Sequence, residues 1–93
     1  MQLDTEYLQQ QLQTNLIGFL RIELQLAATM LETARTTTDD NHRKQLVKDV
    51  RSAIAAVRQF EGRVQDRRVA QRFLVTADRL EREVSGVVGH AVG

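Results

Sequence analysis

Apolar residues recur at steps of three and four positions along most of this 93-residue chain, and no segment bounded by turn residues alternates apolar and polar positions. Steps of three and four put side chains on one face of an α-helix, so the pattern predicts helices and no strands. The residue types agree, because Leu, Ala, Gln, Arg and Glu are abundant and proline is absent. We therefore expect an all-α fold, with residues 1–93 forming one helical domain.

Two interruptions of this pattern separate three predicted helices. A run of three threonines favours a turn after the first helix, and Asp39 or Asp40 caps the second. Gly62 is the expected left-handed stop of the second helix, and Asp66 begins the third. The predicted helices cover residues at about 4–35, 40–61 and 66–88.

The connections between these helices are short, and short connections make neighbouring helices run antiparallel. The expected architecture is an up-down-up three-helix bundle with a long first helix. Gly86 and Gly89 are expected to fray the third helix, which leaves residues 90–93 as a loose tail.

The first helix is too long for its two neighbours. Its 32 predicted residues span about 48 Å, against about 35 Å for each of the other two helices. About two turns near Tyr7 therefore project past the hairpin, unless Gly18 divides the helix and folds the first segment back. We expect one continuous helix, and Tyr7 on its projecting end is a candidate partner contact.

The first helix is also apolar around too much of its circumference. Its apolar positions follow steps of three and four residues: Leu8, Leu12, Leu16, Phe19 or Leu20, Ala27, Met30 or Leu31, and Ala34. Counting every apolar residue from Leu16 to Leu31, the apolar arc covers roughly 240°. A single two-helix hairpin covers about half of that arc, so the surplus predicts self-association through the first helix as a homodimer. The expected interface residues are Ile17, Ile22, Leu24, Leu26 and Leu31. Alternatively, side chains of the other two helices spread around the first helix and bury most of it.

Glu23 is the one charged residue inside this apolar arc. A buried carboxylate has to be paired or protonated, so Glu23 is a candidate buried charge. The favoured interpretation is a structural contact with an arginine of another helix or subunit. The alternative, a general acid or base in an interhelical pocket, has little support because no second carboxylate or histidine shares its face.

Basic residues form stripes on the second and third helices, on the side away from the predicted core. A net charge of +1 and the absence of interleaved aromatic residues favour an ordinary solvated face. The alternative function is binding of nucleic acid or of an acidic protein through these stripes. Their members are Lys44, Lys48, Arg51 and Arg58 on the second helix, and Arg68, Arg72 and Arg79 on the third.

The remaining composition argues against several kinds of chemistry. The chain has no cysteine, and its two histidines, His42 and His90, lack the spacing of a helical metal-binding pair. No apolar segment is long enough to span a membrane, and the first residues lack the pattern of a signal peptide, so we expect a cytoplasmic protein. With no cofactor, metal or catalytic set indicated, the predicted function is a non-enzymatic interaction or adaptor module that binds itself and, through other surfaces, another protein.

Overall fold

A computed structural model describes the backbone of residues 2–92 and the side chains of residues 4–89. It contains three α-helices and, in the range 2–92, no strand. The all-α prediction is therefore confirmed. The helices are α1 (Gln2–Thr36), α2 (Asp40–Phe60) and α3 (Arg67–Val92), and a short 3-10 helix (Glu61–Arg63) lies between α2 and α3.

Aspartates provide the caps that begin α2 and α3. The Asp39 carboxylate accepts hydrogen bonds from the backbone N–H groups of Asn41 (3.0 Å) and His42 (3.1 Å). The Asp66 carboxylate accepts from the N–H groups of Arg68 (3.0 Å) and Val69 (3.4 Å). These bonds satisfy backbone amides that have no partner inside the helix, so each aspartate marks the point at which the connection ends and the helix begins.

The end of α2 differs from the prediction. Gly62 lies inside the 3-10 helix, and none of the described residues has a positive φ angle, so the expected left-handed stop is wrong. The chain instead tightens into one 3-10 turn, which the Val64 N–H closes by donating to the Glu61 carbonyl (3.0 Å). Arg67 reinforces the turn, because its guanidinium donates to the Val64 carbonyl (3.0 Å) and pairs with the Glu61 carboxylate (3.1 Å).

Glycine breaks neither of the two longer helices. α1 continues through Gly18, and α3 passes Gly86 and Gly89 to end at Val92 rather than near Val88. A glycine inside a helix costs only about 1 kcal/mol relative to alanine, which packing elsewhere in the helix can offset. α1 is therefore one rod of 35 residues, about 52 Å long.

One apolar core joins the three helices, and none of the described polar or charged side chains is buried in it. α1 contributes residues at steps of three and four from Leu20 to Ala34, which fall on an arc of about 80°. Val64, from the connection after α2, closes one end of this core. The largest fully buried side chains are Leu20, Leu31, Ile54, Leu80, Val50, Val57, Val64 and Val84.

Polar contacts fix the two ends of the packed part of α1. The Gln13 side chain donates to the Arg63 carbonyl and accepts from the Gln65 N–H, both at 2.9 Å. Near the other end, Arg43 of α2 donates to the carbonyls of Ala34 (3.3 Å) and Thr37 (2.6 Å), which supplies partners for the end of α1. α1 is thus held against the other helices from Gln13 to its last turn.

Substitutions at one buried and one exposed position test the assigned core. Leu20→Ala removes fully buried methyl groups, so we expect it to lower the free energy of unfolding by about 2–5 kcal/mol. Val75→Ala, at an exposed position of α3, should change it by less than about 0.5 kcal/mol. Urea unfolding followed by circular dichroism measures both, and equal losses in the two variants would contradict the assigned core.

Candidate interaction surface

Five large apolar side chains of α1 point away from the core and into solvent. Their exposed fractions run from 43% to 66%, although each is large enough to contribute substantially to a core. We refer to these residues together as the α1 stripe: Leu8, Leu12, Phe19, Ile22 and Leu26.

The α1 stripe is a continuous line along the helix. Asn15 lies on the same line between Leu12 and Phe19. When it is counted with the five members, consecutive positions are 4, 3, 4, 3 and 4 residues apart, which is the spacing of two positions per seven residues in helices that pack together. At 100° per residue, the stripe covers an arc of about 80°, centred about 120° from the centre of the buried face. α1 therefore carries two separate apolar faces, and its own chain covers one of them.

The predicted interface residues divide between these two faces. Leu24 (6% exposed) and Leu31 (1%) lie in the core of the single chain, so their assignment to an exposed surface is wrong. Ile17 is half-buried and packs against the same core. Ile22 (62%) and Leu26 (49%) do lie at the surface. The helices of one chain thus cover part of the apolar surface of α1 that was predicted to form the dimer interface, and they leave the other part exposed.

Sequence reasoning also missed three members of the stripe. It placed Leu8, Leu12 and Phe19 in one apolar series with the buried positions of α1 and named none of them as an interface residue, although all three are exposed. The sequence signal that identifies them is the seven-residue repeat, because it places these three positions on a different line of the helix from Leu20 and Leu24. A count of apolar residues around the helix merged two faces that the repeat distinguishes.

Aromatic contacts support the middle of the stripe. The Phe19 ring meets the Phe60 ring of α2 edge-on, with centroids 6.2 Å apart and an interplanar angle of 84°. The Arg63 guanidinium lies 5.1 Å from the centroid of the Phe60 ring. Edge-to-face and cation–π contacts are both favourable arrangements for a phenyl ring. Phe19 is therefore held by α2 on one edge while much of its ring stays open to solvent.

The first part of α1 extends beyond the rest of the molecule. Residues 4–12 are all exposed, and Gln13 is the first partly buried position. We call residues 4–12 the overhang. It includes Tyr7 (65% exposed) and two members of the stripe, Leu8 and Leu12. The molecule measures 60 × 20 × 16 Å, as expected when one helix outruns the others.

Glu23 is half-buried rather than buried, so its assignment as a buried charge is wrong. It lies beside the α1 stripe, between the exposed and the buried face of α1. Among the described side chains, it takes part in none of the ion pairs. Partial solvent exposure gives the carboxylate the hydration that a core position would have denied it.

The basic stripes are only partly available to a partner. Arg58 pairs with Asp78 of α3 at 3.0 Å, so it links two helices of its own chain. Lys44, Lys48 and Arg51 are exposed on α2. On α3, Arg68, Arg72 and Arg79 are exposed as well.

Two of these arginines border a cleft between α1 and α3. The cleft has a volume of about 370 Å³, and Leu24 and Phe73 line its apolar part. Arg21 of α1 joins Arg72 and Arg79 along its walls, and no carboxylate lines it. None of these three arginines forms an ion pair within residues 4–89.

No group of three or more His, Cys, Asp or Glu residues in the described part is arranged to hold a metal ion. Among the described helices, none combines the length and hydrophobicity that crossing a bilayer requires. Comparisons with protein-family models, curated proteins and solved structures find no match.

Two leucines one half-turn apart provide a matched test of the two faces. Leu24→Gln would bury an amide without a partner, so we expect a loss of at least about 2 kcal/mol in unfolding free energy. Leu26→Gln should change it by less than about 0.5 kcal/mol at dilute protein concentration. Urea unfolding of both variants measures the difference, and a large loss for Leu26→Gln would show that this leucine belongs to the core.

Proposed function

We propose that this protein is a non-enzymatic helical interaction module that self-associates through the α1 stripe as a homodimer. The observation that carries the proposal is the continuous line of five exposed apolar side chains, spaced as in helices that pack against one another. Single exposed apolar residues are common on any surface, whereas a contiguous line of large ones is typical of an interaction site.

The size of the stripe supports a second copy as its occupant. Taking about 200 Å² for a large apolar side chain, the exposed parts of the stripe amount to on the order of 500 Å² per chain. Two copies facing each other would cover about 1,000 Å² from the stripe alone, which reaches the lower bound of specific interfaces. Side chains beside the stripe add to this area, and one two-fold contact covers both stripes at once.

Chemistry along the stripe also favours association. No member carries a charge, and Asn15, the polar residue on the same line, accepts a hydrogen bond at its side-chain oxygen from Gln11 in its own helix (3.4 Å). A facing helix would therefore meet methyl groups, one phenyl ring and an amide whose oxygen has a partner. The desolvation cost that opposes the burial of charged surfaces is avoided here.

We infer further that α1, α2 and α3 run up-down-up. Three contacts support this order: Gln13 of α1 reaches the connection between α2 and α3, Arg43 at the start of α2 reaches the end of α1, and Arg35 pairs with Glu83 of α3 at 3.7 Å. In this arrangement the overhang projects from the end at which α2 and α3 are joined. Neither of those helices reaches residues 4–12.

The mass in solution tests the proposed dimer. At micromolar protein concentration, the wild-type chain should sediment at twice the mass of one chain. Ile22→Glu/Leu26→Glu should sediment as a monomer, because association would bury four carboxylates against apolar side chains at a single dimer contact. Its helical circular dichroism should remain close to that of the wild type, since both side chains are exposed.

The matched control is Val75→Glu, which adds a charge at an exposed apolar position of α3 that does not belong to the stripe. This variant should stay dimeric. A wild-type chain that remains monomeric throughout the micromolar range would overturn self-association, and a dimer that survives the double substitution would move the interface away from the stripe.

A second candidate function is binding of an acidic protein segment or nucleic acid through the cleft between α1 and α3. The observation that favours it is the set Arg21, Arg72 and Arg79, three cations around an apolar cleft that no carboxylate lines. Such a cleft suits a partner that combines anionic and apolar groups. The charge on α2 supports it less, because Arg58 is already paired with Asp78.

Salt dependence and paired variants test this second function. A poly-glutamate peptide and a single-stranded oligonucleotide serve as probes, and binding should weaken steeply as salt concentration rises. Arg72→Gln/Arg79→Gln should reduce binding at least about tenfold, a change of about 1.4 kcal/mol, whereas Lys44→Gln/Lys48→Gln should change it less. No measurable binding at low salt would exclude this function, and equal losses in both variants would exclude the cleft as its site.

A further inference from the structure

We infer that two copies pair their α1 helices antiparallel, so that the overhang of each copy docks on the α1 stripe of the other beside α2. This inference rests on the proposed self-association and specifies its geometry. The binding surface for each overhang is then the Phe19–Leu26 part of α1 in the second copy.

The order of residues along the stripe is symmetric in the way an antiparallel pair requires. If the two-fold axis passes beside residue 17, Leu8 faces the partner's Leu26 and Leu12 faces the partner's Ile22. Asn15 then faces the partner's Phe19, and its amide keeps the hydrogen bond from Gln11. The four aliphatic members of the stripe therefore each meet an aliphatic side chain of the partner. Phe19 meets Asn15, so every member of the stripe has a facing residue.

The overhang makes this orientation more favourable than a parallel one. Leu8 and Leu12 lie on a segment where every described side chain is exposed, whereas Phe19, Ile22 and Leu26 lie where α2 and α3 support α1. A parallel pair would bring the two unsupported segments together, with solvent on all other sides. An antiparallel pair places each unsupported segment against the supported half of the other copy.

The position of α2 leaves room for this docking. Phe60 at the end of α2 contacts Phe19, and Arg43 near its start contacts Ala34, so α2 accompanies α1 only from about Phe19 onward. With the axis beside residue 17, the two α2 helices lie on opposite halves of the pair. The partner's overhang then lies along α2 without competing for the same space.

Charge on the two docking segments is complementary. On the side of the α1 stripe, the described overhang carries the carboxylate of Asp4 and no cation. The exposed surface of α2 carries Lys44, Lys48 and Arg51, and none of them forms an ion pair with a described side chain. An antiparallel pair brings this acidic segment alongside the basic helix of the other copy, where long lysine and arginine side chains reach toward it.

Cysteine pairs test the orientation directly, because the full chain contains no cysteine of its own. Leu8→Cys and Leu26→Cys are prepared separately, mixed, and treated with a short bis-maleimide crosslinker. We expect a covalent dimer of one Leu8→Cys and one Leu26→Cys chain, identified by mass spectrometry. Leu8→Cys alone should not crosslink, because its two thiols would lie about 27 Å apart.

Each outcome has one meaning. Crosslinking of Leu8→Cys with itself would show a parallel pair and overturn the inference while leaving the dimer intact. A mixture that sediments as a dimer but gives no crosslink would overturn it as well. Failure of the proposed function itself is separately visible, because the wild-type chain would then sediment as a monomer.

Discussion

The structure depends on one constraint: α1 carries two apolar faces about 120° apart, and a chain of three helices covers only one of them. The face through Leu20, Ala27 and Leu31 completes the core with α2 and α3. The face through Leu12, Ile22 and Leu26 remains in contact with water. Exposed apolar area costs free energy in proportion to its extent, so the folded chain retains a driving force for association.

Polar contacts determine how much of α1 its own chain supports. Gln13 binds the backbone of the connection between α2 and α3, and Arg43 binds carbonyls at the opposite end of α1. These contacts have defined hydrogen-bond geometry, whereas apolar packing alone would tolerate a shift along the helix axis. They set the boundary at which the overhang begins, and with it the division of the stripe into a supported and an unsupported part.

The sequence predicted the coarse architecture well because helix periodicity and capping are local properties. The three helices, the cap at Asp39 and the uninterrupted passage through Gly18 were all accessible from spacing and residue type. Which of the two faces of α1 is covered was not accessible, since Leu24 and Leu26 are both leucines and only the positions of α2 and α3 decide which of them is buried. The same limit applies to Arg58, whose partner Asp78 is twenty residues away in sequence.

The overhang links folding to the proposed association. Short helices in water are marginally stable on their own, and every side chain of residues 4–12 is exposed in the single chain. Their helix is an extension of α1, so it needs no new nucleus, but its outer turns are the least protected part of the fold. Docking against a second copy would bury part of this segment in the helical conformation that it already has in α1. The free energy of association is reduced by any cost of holding its outer turns helical. An exposed stripe that ends on an unsupported helix therefore favours a reversible dimer, in which the core of each chain persists when the copies separate.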